Sequence, residues 1–154
     1  MNETQPDLLK ARASALASLS RRDHAEAELR QKLERKGYPA DTIAQVLEEM
    51  RGHGYLDDAR FSASYARLRA ARGYGPVKIR HELQKRGVTA ALVEQAMVQL
   101  DIDFTDSCCQ VQRRKFGSEP PQDLKDKARR QRFLYQRGFD AECIRRVVPD
   151  PKRF

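Results

Sequence analysis

The arrangement in this sequence that comes closest to a catalytic motif is the segment 81–85, His-Glu-Leu-Gln-Lys. A zinc metalloprotease helix has a His-Glu pair with a second His one turn later, because both imidazoles must face one metal ion. Lys85 stands where that second His is required. The remaining histidines, His24 and His53, are isolated in the sequence. We therefore predict no metal site.

Other signatures of catalysis are also incomplete. Gly73 and Gly75 are not followed by the Gly-Lys-Ser/Thr sequence of a phosphate-binding loop. The adjacent pair Cys108-Cys109 cannot face one metal ion from a helix. The pair Asp57-Asp58 is the nearest approach to the carboxylate cluster of a nuclease, but a helix cap explains it better. We expect no enzyme activity and no cofactor.

The lysines and arginines are the remaining candidates for function. The net charge of +8 is uneven, with −2 over residues 1–58, +5 over residues 59–102 and +5 over residues 103–154. A solvated helix face normally carries balanced charge, so this excess predicts a surface for a polyanion or an acidic protein. The candidate partner- or DNA-binding residues are Arg67, Arg69, Arg72, Lys78, Arg80, Lys85, Arg86, Arg113, Arg114, Lys115, Lys127, Arg129, Arg130 and Arg132.

Residue spacing alone does not decide whether these cations meet phosphates or carboxylates. Each phosphate contact would make binding more sensitive to salt, with a slope of about 0.9 per contact on duplex DNA. Tyr65, Tyr74 and Tyr135 could stack on the bases of a single strand, although core or cap roles are equally compatible with the sequence.

A repeated stretch indicates how these side chains are positioned. Leu33-Glu-Arg-Lys-Gly37-Tyr38 recurs as Leu83-Gln-Lys-Arg-Gly87-Val88 and as Leu134-Tyr-Gln-Arg-Gly138-Phe139. Each copy is typical of a helix end in which glycine adopts the left-handed conformation and the preceding Leu contacts the following apolar residue. We interpret six residues as the structural joints of an internal repeat: Leu33, Gly37, Leu83, Gly87, Leu134 and Gly138.

The hydrophobic spacing predicts an all-α protein of three tandem three-helix repeats, stacked into an elongated, curved molecule. The predicted repeats are residues 1–54, residues 55–102, which are basic, and residues 103–154, which are basic with a shortened last helix. Ser20 and Asp23 resemble a capping box, which predicts that the second helix starts there and runs to Lys36. In the third repeat Arg130 occupies an expected apolar position, and we expect Phe133 to supply the missing apolar surface.

The ends and the cysteines indicate the compartment. The sequence Met-Asn-Glu-Thr-Gln-Pro-Asp is polar and acidic, unlike a secretory or transit signal. No apolar run approaches the roughly 18 residues that span a bilayer. The three cysteines lack paired metal-ligand spacing. We expect a cytoplasmic protein that does not enter a membrane.

The centre of the chain resembles a known family. Tyr55-Leu56-Asp57-Asp58-Ala-Arg60-Phe61 is followed by Arg72-Gly73 and by Gly75-Pro76-x-x-Ile79-x-x-Glu82-Leu83-x-x-Arg86-Gly87-Val88. This long pattern is similar to the central signature of the RecX regulatory proteins, and the likeness extends over roughly residues 10–148. The resemblance implies a small all-α modulator of the RecA recombinase that has no catalytic residues.

The resemblance also implies a mode of action and a partner. RecX proteins bind in the helical groove of the RecA filament on DNA and inhibit ATP hydrolysis, strand exchange and co-protease activity. We expect the basic face of the second and third repeats to contact RecA or DNA, with the chain acting as a monomer. The alternative is a basic helical protein that affects recombination indirectly by competing for single-stranded or double-stranded DNA.

Overall fold

The computed structural model describes residues 4–152, which form α-helices joined by turns and short loops, with no β-strand in that range. Its nine helices are α1 (Thr4–Arg21), α2 (Glu26–Arg35), α3 (Ala40–Gly52), α4 (Asp58–Ala71), α5 (Pro76–Lys85), α6 (Ala90–Leu100), α7 (Phe104–Phe116), α8 (Leu124–Gln136) and α9 (Ala141–Val147). Within the described residues, no helix has both the length and the apolar character needed to cross a membrane. The predicted all-α, tandem three-helix organisation is confirmed.

The helix starts follow from capping side chains and from proline. Asp57 precedes α4 and its Oδ1 accepts from the Arg60 N–H at 3.1 Å. Pro76 opens α5, where its missing N–H costs no helical hydrogen bond. Asp103, Asp123 and Asp140 cap α7, α8 and α9 with side-chain oxygens. Each of these carboxylates satisfies N–H groups that the first turn of a helix leaves unpaired.

The start of α2 differs from the prediction. Ser20 lies inside α1, and its hydroxyl donates to a carbonyl oxygen of the preceding turn. The first helical N–H, that of Glu26, donates instead to Asp58 Oδ1 at 2.8 Å. The predicted capping box of Ser20 and Asp23 is therefore wrong. Glu28 accepts from the N–H of the N-cap residue Ala25 at 3.0 Å, while the carboxylate that serves Glu26 lies 32 residues further along the chain, at a distance that local spacing does not reveal.

The three repeated helix ends have the same backbone geometry. Gly37, Gly87 and Gly138 have φ angles of +85°, +84° and +97°, which L side chains rarely adopt. The following N–H donates back to the carbonyl of the repeated Leu in each case: Tyr38 to Leu33 at 3.4 Å, Val88 to Leu83 at 3.2 Å, and Phe139 to Leu134 at 3.2 Å. This is the Schellman arrangement, and it turns the chain sharply into the next helix.

Two of these caps also touch the preceding repeat. A Cβ added at Gly87 would overlap the Cβ of Ala27, on α2. A Cβ added at Gly138 would lie 2.7 Å from the backbone nitrogen of Lys78, on α5. Gly37 belongs to the first repeat, and no described atom lies within 4 Å of its Cβ position. Glycine is therefore required at the second and third caps for two reasons. The backbone has a positive φ angle, and the preceding repeat lies too close for a Cβ atom.

The chain packs into two compact units. The first runs to Ser64 and includes Leu83–Gln95, and the second consists of Tyr65–Glu82 and the chain from Ala96 onward. The second repeat thus contributes residues to both units. The core of the first unit consists chiefly of Ala11, Ala15, Leu29, Leu33, Ile43, Val46, Leu47, Met50 and Leu56. The core around α7–α9 consists of Cys108, Val111, Leu134, Phe139, Ile144 and Val148, with Phe133 packed against it as predicted.

Candidate partner-binding surface

Three cationic side chains surround the ring of Tyr74 in the second unit. The Arg69 guanidinium carbon lies 3.8 Å from the ring centroid, that of Arg137 lies 4.7 Å away, and Lys78 Nζ lies 5.1 Å away. A cation within about 6 Å of an aromatic centroid is attracted to the negative face of the ring, by about 0.5–1 kcal/mol where the site is open to water. Tyr74 therefore holds three positive charges close together that would otherwise repel one another.

The backbone on both sides of Tyr74 fixes this arrangement. Gly73 ends α4 with a φ of +87°, and the Tyr74 N–H donates to the Arg69 carbonyl at 3.2 Å. The Gly75 N–H then donates to the Arg137 carbonyl at 2.8 Å. A Cβ on Gly75 would lie 2.5 Å from the backbone nitrogen of Phe139, so only glycine allows this approach. The start of α5 is thereby held against the end of α8.

Glu82 orients Arg69 from the opposite side. Arg69 Nη2 lies 2.9 Å from Glu82 Oε1, both side chains are largely buried, and the Tyr65 hydroxyl donates to the same carboxylate. Burial alone would raise the pKa of Glu82, but the hydrogen bonds from Tyr65 and Arg69 outweigh it, so that pKa is lowered. Burial likewise opposes the charge on Arg69, but the hydrogen bond to Glu82 leaves its pKa raised. The pair is therefore ionised, and Glu82 holds Arg69 in place through a hydrogen-bonded ion pair.

Aromatic rings and cations continue beyond Tyr74 onto α7 and α8. The Arg137 guanidinium carbon lies 5.7 Å from the centroid of Phe133, and Lys115 Nζ lies 5.4 Å from the same centroid. Phe133 meets Phe116 edge to face at 5.5 Å. We call this set the cationic strip; its members are Arg69, Tyr74, Lys78, Lys115, Phe116, Phe133 and Arg137.

The predicted basic residues differ in exposure and in pairing. Arg67, Arg72, Lys85, Arg113, Arg114, Lys115, Arg129 and Arg132 are exposed, while Arg69, Lys78, Arg80, Arg86 and Lys127 are partly buried. Carboxylates already pair with several of them: Glu82 with Arg69, Glu28 with Arg86, Asp150 with Lys127, and Asp126 with Arg129. Among the described residues no carboxylate pairs with Arg72, Lys85, Arg113, Arg114, Lys115 or Arg132, so these charges remain available to a partner.

Arg130 does not belong to an exposed face. It is only 5% exposed, and its guanidinium donates to Gln112 Oε1 at 3.1 Å and to the Glu119 carbonyl at 2.9 Å. Its Nη2 also lies 3.3 Å from Asp126. The prediction that Arg130 contacts a partner is therefore corrected. The buried side chain instead connects α8 to α7 and to the segment before α8.

Three members of the cationic strip are not among the predicted binding residues. Arg137 is the C-cap of α8, and the predicted basic residues do not include it. Phe133 was expected only to supply apolar surface, and the sequence pattern does not single out Phe116. The sequence does contain a signal for this surface, which is Tyr74 between Gly73 and Gly75. An aromatic residue in a tight turn cannot be buried by its own helix, so its ring must contact other side chains or a partner.

The cysteines and acidic residues that the structure describes form no second site. Within the described residues, no three His, Cys, Asp or Glu side chains are grouped so as to hold a metal ion. Burial raises the pKa of Cys108 to about 12, so its thiol is un-ionised at neutral pH. Cys108 fills space in the core of the third repeat.

Comparison with known proteins identifies the family. The descriptions "RecX, first three-helix domain", "RecX, second three-helix domain" and "RecX, third three-helix domain" match residues 11–50, 57–97 and 101–148. The chain belongs to the RecX family. The regulatory protein RecX of Pseudomonas entomophila is 36% identical over 89% of this chain and 88% of its own length. That of Serratia proteamaculans is 38% identical over 88% of this chain and 94% of its own length.

Solved RecX structures share the fold. RecX from Lactobacillus salivarius superposes with a TM-score of 0.76 at 19% identity, over 92% of this chain and 94% of its own. A second crystal structure, of regulatory protein RecX, gives 0.79 at 21% identity over 96% and 79%. The relatives are named as regulators, and this RecX-family chain is a regulatory protein and not an enzyme. The resemblance noted from residues 55–88 is thereby confirmed.

Proposed function

We propose that this RecX-family protein binds RecA–DNA filaments in their helical groove and inhibits the RecA ATPase, strand exchange and co-protease activity. The observation that carries the proposal is the cationic strip, in which Lys115 and Arg137 lack a carboxylate partner among the described residues, while Lys78 lies beside the same tyrosine ring as Arg137. A filament offers phosphates and acidic side chains in a regular array, which is the complement of such a strip. The protein would act in the cytoplasm, in DNA repair, recombination and the SOS response.

Part of the charge on the cationic strip is held in place before a partner binds. Long cationic side chains normally lose about 1.5–2 kcal/mol of rotamer freedom when a partner immobilises them. Arg69 and Arg137 are already held against Tyr74, so part of that loss has occurred before binding. A stiff cationic surface therefore binds an anionic partner more tightly than the same charges on mobile side chains.

A second candidate function is competition for DNA. Alternation of cations with aromatic rings is typical of surfaces that follow a single strand, where bases stack and phosphates pair. The partly exposed Tyr74 between Arg69 and Arg137 favours this reading. On this alternative the protein would reduce recombination without contacting RecA.

The test removes three charges of the cationic strip together. The variant Lys78→Gln, Lys115→Gln, Arg137→Gln should need at least about tenfold more protein for half-inhibition of RecA ATPase on preformed filaments. The matched control, Lys10→Gln, Arg21→Gln, Arg35→Gln, loses the same charge from the exposed surface of the first repeat and should inhibit like the parent protein. Circular dichroism checks that both remain folded.

The outcomes separate the two functions. Assays should use protein concentrations at which free DNA is not bound. Inhibition that appears only once free DNA is coated would support the DNA-competition function instead. Equal loss in the strip variant and the control would show that only overall charge matters, and the assignment to the strip would fail.

A further inference from the structure

His24, in the loop between α1 and α2, and Lys32, on α2, form a hydrogen-bonded pair within the first unit. His24 Nδ1 lies 3.0 Å from the Arg22 carbonyl oxygen, and His24 Nε2 lies 2.7 Å from Lys32 Nζ. A carbonyl oxygen can only accept, so the proton of the neutral imidazole is on Nδ1. Nε2 therefore directs its lone pair at Lys32 and accepts a hydrogen bond from it.

This arrangement is typical of an activated nucleophile. Such a nucleophile lies about 2.6–3.2 Å from a base, and a third group orients that base. Here the nucleophile is the Lys32 amine, the base is His24, and the orienting group is the Arg22 main chain. His24 is 2% exposed, and burial lowers its pKa although the hydrogen bond to the Arg22 carbonyl opposes that change. The imidazole is therefore neutral at pH 7 and able to receive a proton.

The surroundings of Lys32 favour its neutral amine, which is the nucleophilic form. Burial and the positive charges of Arg22, Arg21 and Lys36 lower the pKa of Lys32, whereas Glu28 opposes them. Glu28 is itself paired with Arg22 at 3.0 Å. Lys32 is only half-buried, so part of its side chain is open to solvent. The three neighbouring cations also attract an anionic reagent to this amine.

We propose that Lys32 is a modification site that accepts an acyl group from an acyl phosphate, with His24 as the base that takes up the lysine proton. The Lys32 nitrogen attacks the acyl carbon and forms a C–N bond, while the C–O bond to phosphate breaks and its electron pair leaves with the phosphate. The Nζ proton passes to His24 Nε2 and from there to solvent. The products are an uncharged amide and inorganic phosphate. Lys32 is not a member of the cationic strip, so this inference does not depend on the proposed function.

Acetyl phosphate tests the reactivity of Lys32 in the parent protein. Mass spectrometry of protein incubated with this reagent at neutral pH gives the initial rate of acetylation at each lysine. Lys32 should react at least about tenfold faster than Lys10 and Lys125, which are exposed. A rate at Lys32 no higher than at these two lysines would overturn the proposal.

His24→Gln tests the role of the base. This variant should acetylate Lys32 at least about tenfold more slowly than the parent. The matched control His53→Gln changes an exposed histidine and should leave the rate at Lys32 unchanged. Circular dichroism checks that both variants remain folded. If folded His24→Gln reacts at Lys32 as fast as the parent, His24 is not the base.

The pH dependence of the parent protein answers the same question if His24→Gln does not fold. Protonated His24 cannot accept from Lys32. The rate at Lys32, divided by that at Lys10, should therefore fall at least about tenfold across the pH range in which NMR shows His24 taking up its proton. A constant ratio across that range would exclude His24 as the base.

An uncharged acetyl donor, p-nitrophenyl acetate, tests the class of reagent. Arg21, Arg22 and Lys36 attract an anion but not this ester. The preference for Lys32 over Lys10 should consequently be smaller with p-nitrophenyl acetate than with acetyl phosphate. An equal preference for Lys32 with the two donors would overturn the assignment to acyl phosphates.

Discussion

Replacing Gly87 with alanine should destabilise the protein far more than the same change at Gly37. The two glycines have nearly equal φ angles, +84° and +85°, so the cost of holding alanine in the left-handed conformation is the same, about 1 kcal/mol. At Gly37 no described atom is near the added methyl group. At Gly87 the methyl group would overlap Ala27 Cβ, which cannot rotate away.

The overlap sets the difference between the two sites. Forcing an extra methyl group into a well-packed contact costs about 2 kcal/mol. We therefore expect Gly87→Ala to lower the free energy of unfolding by about 3 kcal/mol and Gly37→Ala by about 1 kcal/mol. A valine at Gly87 would be worse still, since it adds two further methyl groups at the same point of contact.

Urea unfolding followed by circular dichroism measures these changes, and a second substitution tests their cause. Ala27→Gly removes the overlapping Cβ, at a cost of about 1 kcal/mol for glycine within a helix. The double variant Ala27→Gly, Gly87→Ala should consequently be more stable than Gly87→Ala alone, by about 1 kcal/mol. A coupling of about 2 kcal/mol between the two sites would result.

Equal destabilisation at Gly37 and Gly87 would refute this reasoning. It would mean that backbone conformation alone explains the cost and that the second repeat does not rest on α2 through its cap. Additive effects of Ala27→Gly and Gly87→Ala would lead to the same conclusion.

Two further predictions concern buried polar groups. Arg130→Met should lower the free energy of unfolding by about 3 kcal/mol, because it leaves Gln112 and Asp126 without their buried partner; exposed Arg132→Met should cost little in the same thermal melts. His24 is 2% exposed and burial lowers its pKa, so the unfolded chain binds more protons just below pH 6.5. Stability should fall as pH drops from about 7 towards 5, and His24→Gln should flatten that dependence; an unchanged slope would contradict it.

The sequence was sufficient for the fold because its local signals agree with one another. Helical hydrophobic spacing, aspartate caps and the tripled glycine end all point to the same three-helix unit, and the structure has helices at those places. The start of α2 was mispredicted because α1 continues through Ser20 to Arg21, and the carboxylate that accepts from the Glu26 N–H, that of Asp58, comes from the next repeat. Contacts of that range leave no local pattern.

The candidate surface was predictable in composition but not in arrangement. Charge counting identified Arg69, Lys78 and Lys115, yet it could not distinguish an exposed arginine from the buried Arg130. The position of Arg137 beside Tyr74 depends on a joint between α5 and α8, in which Gly75 bonds to Arg137, 62 residues later in the chain. Such a joint follows from packing rather than from spacing.

The hydrogen bonds of that joint run from the Gly75 N–H to the Arg137 carbonyl and from the Val77 N–H to the Gly138 carbonyl, so they involve main-chain atoms only. The side chains of Val77, Lys78 and Arg137 can consequently change while the geometry between α5 and α8 persists. The partner-binding side chains can therefore be substituted one at a time during evolution, and the backbone joint between α5 and α8 needs no compensating change. Gly75 and Gly138 cannot change in this way, because a Cβ on either glycine would overlap main-chain atoms on the other side of the joint.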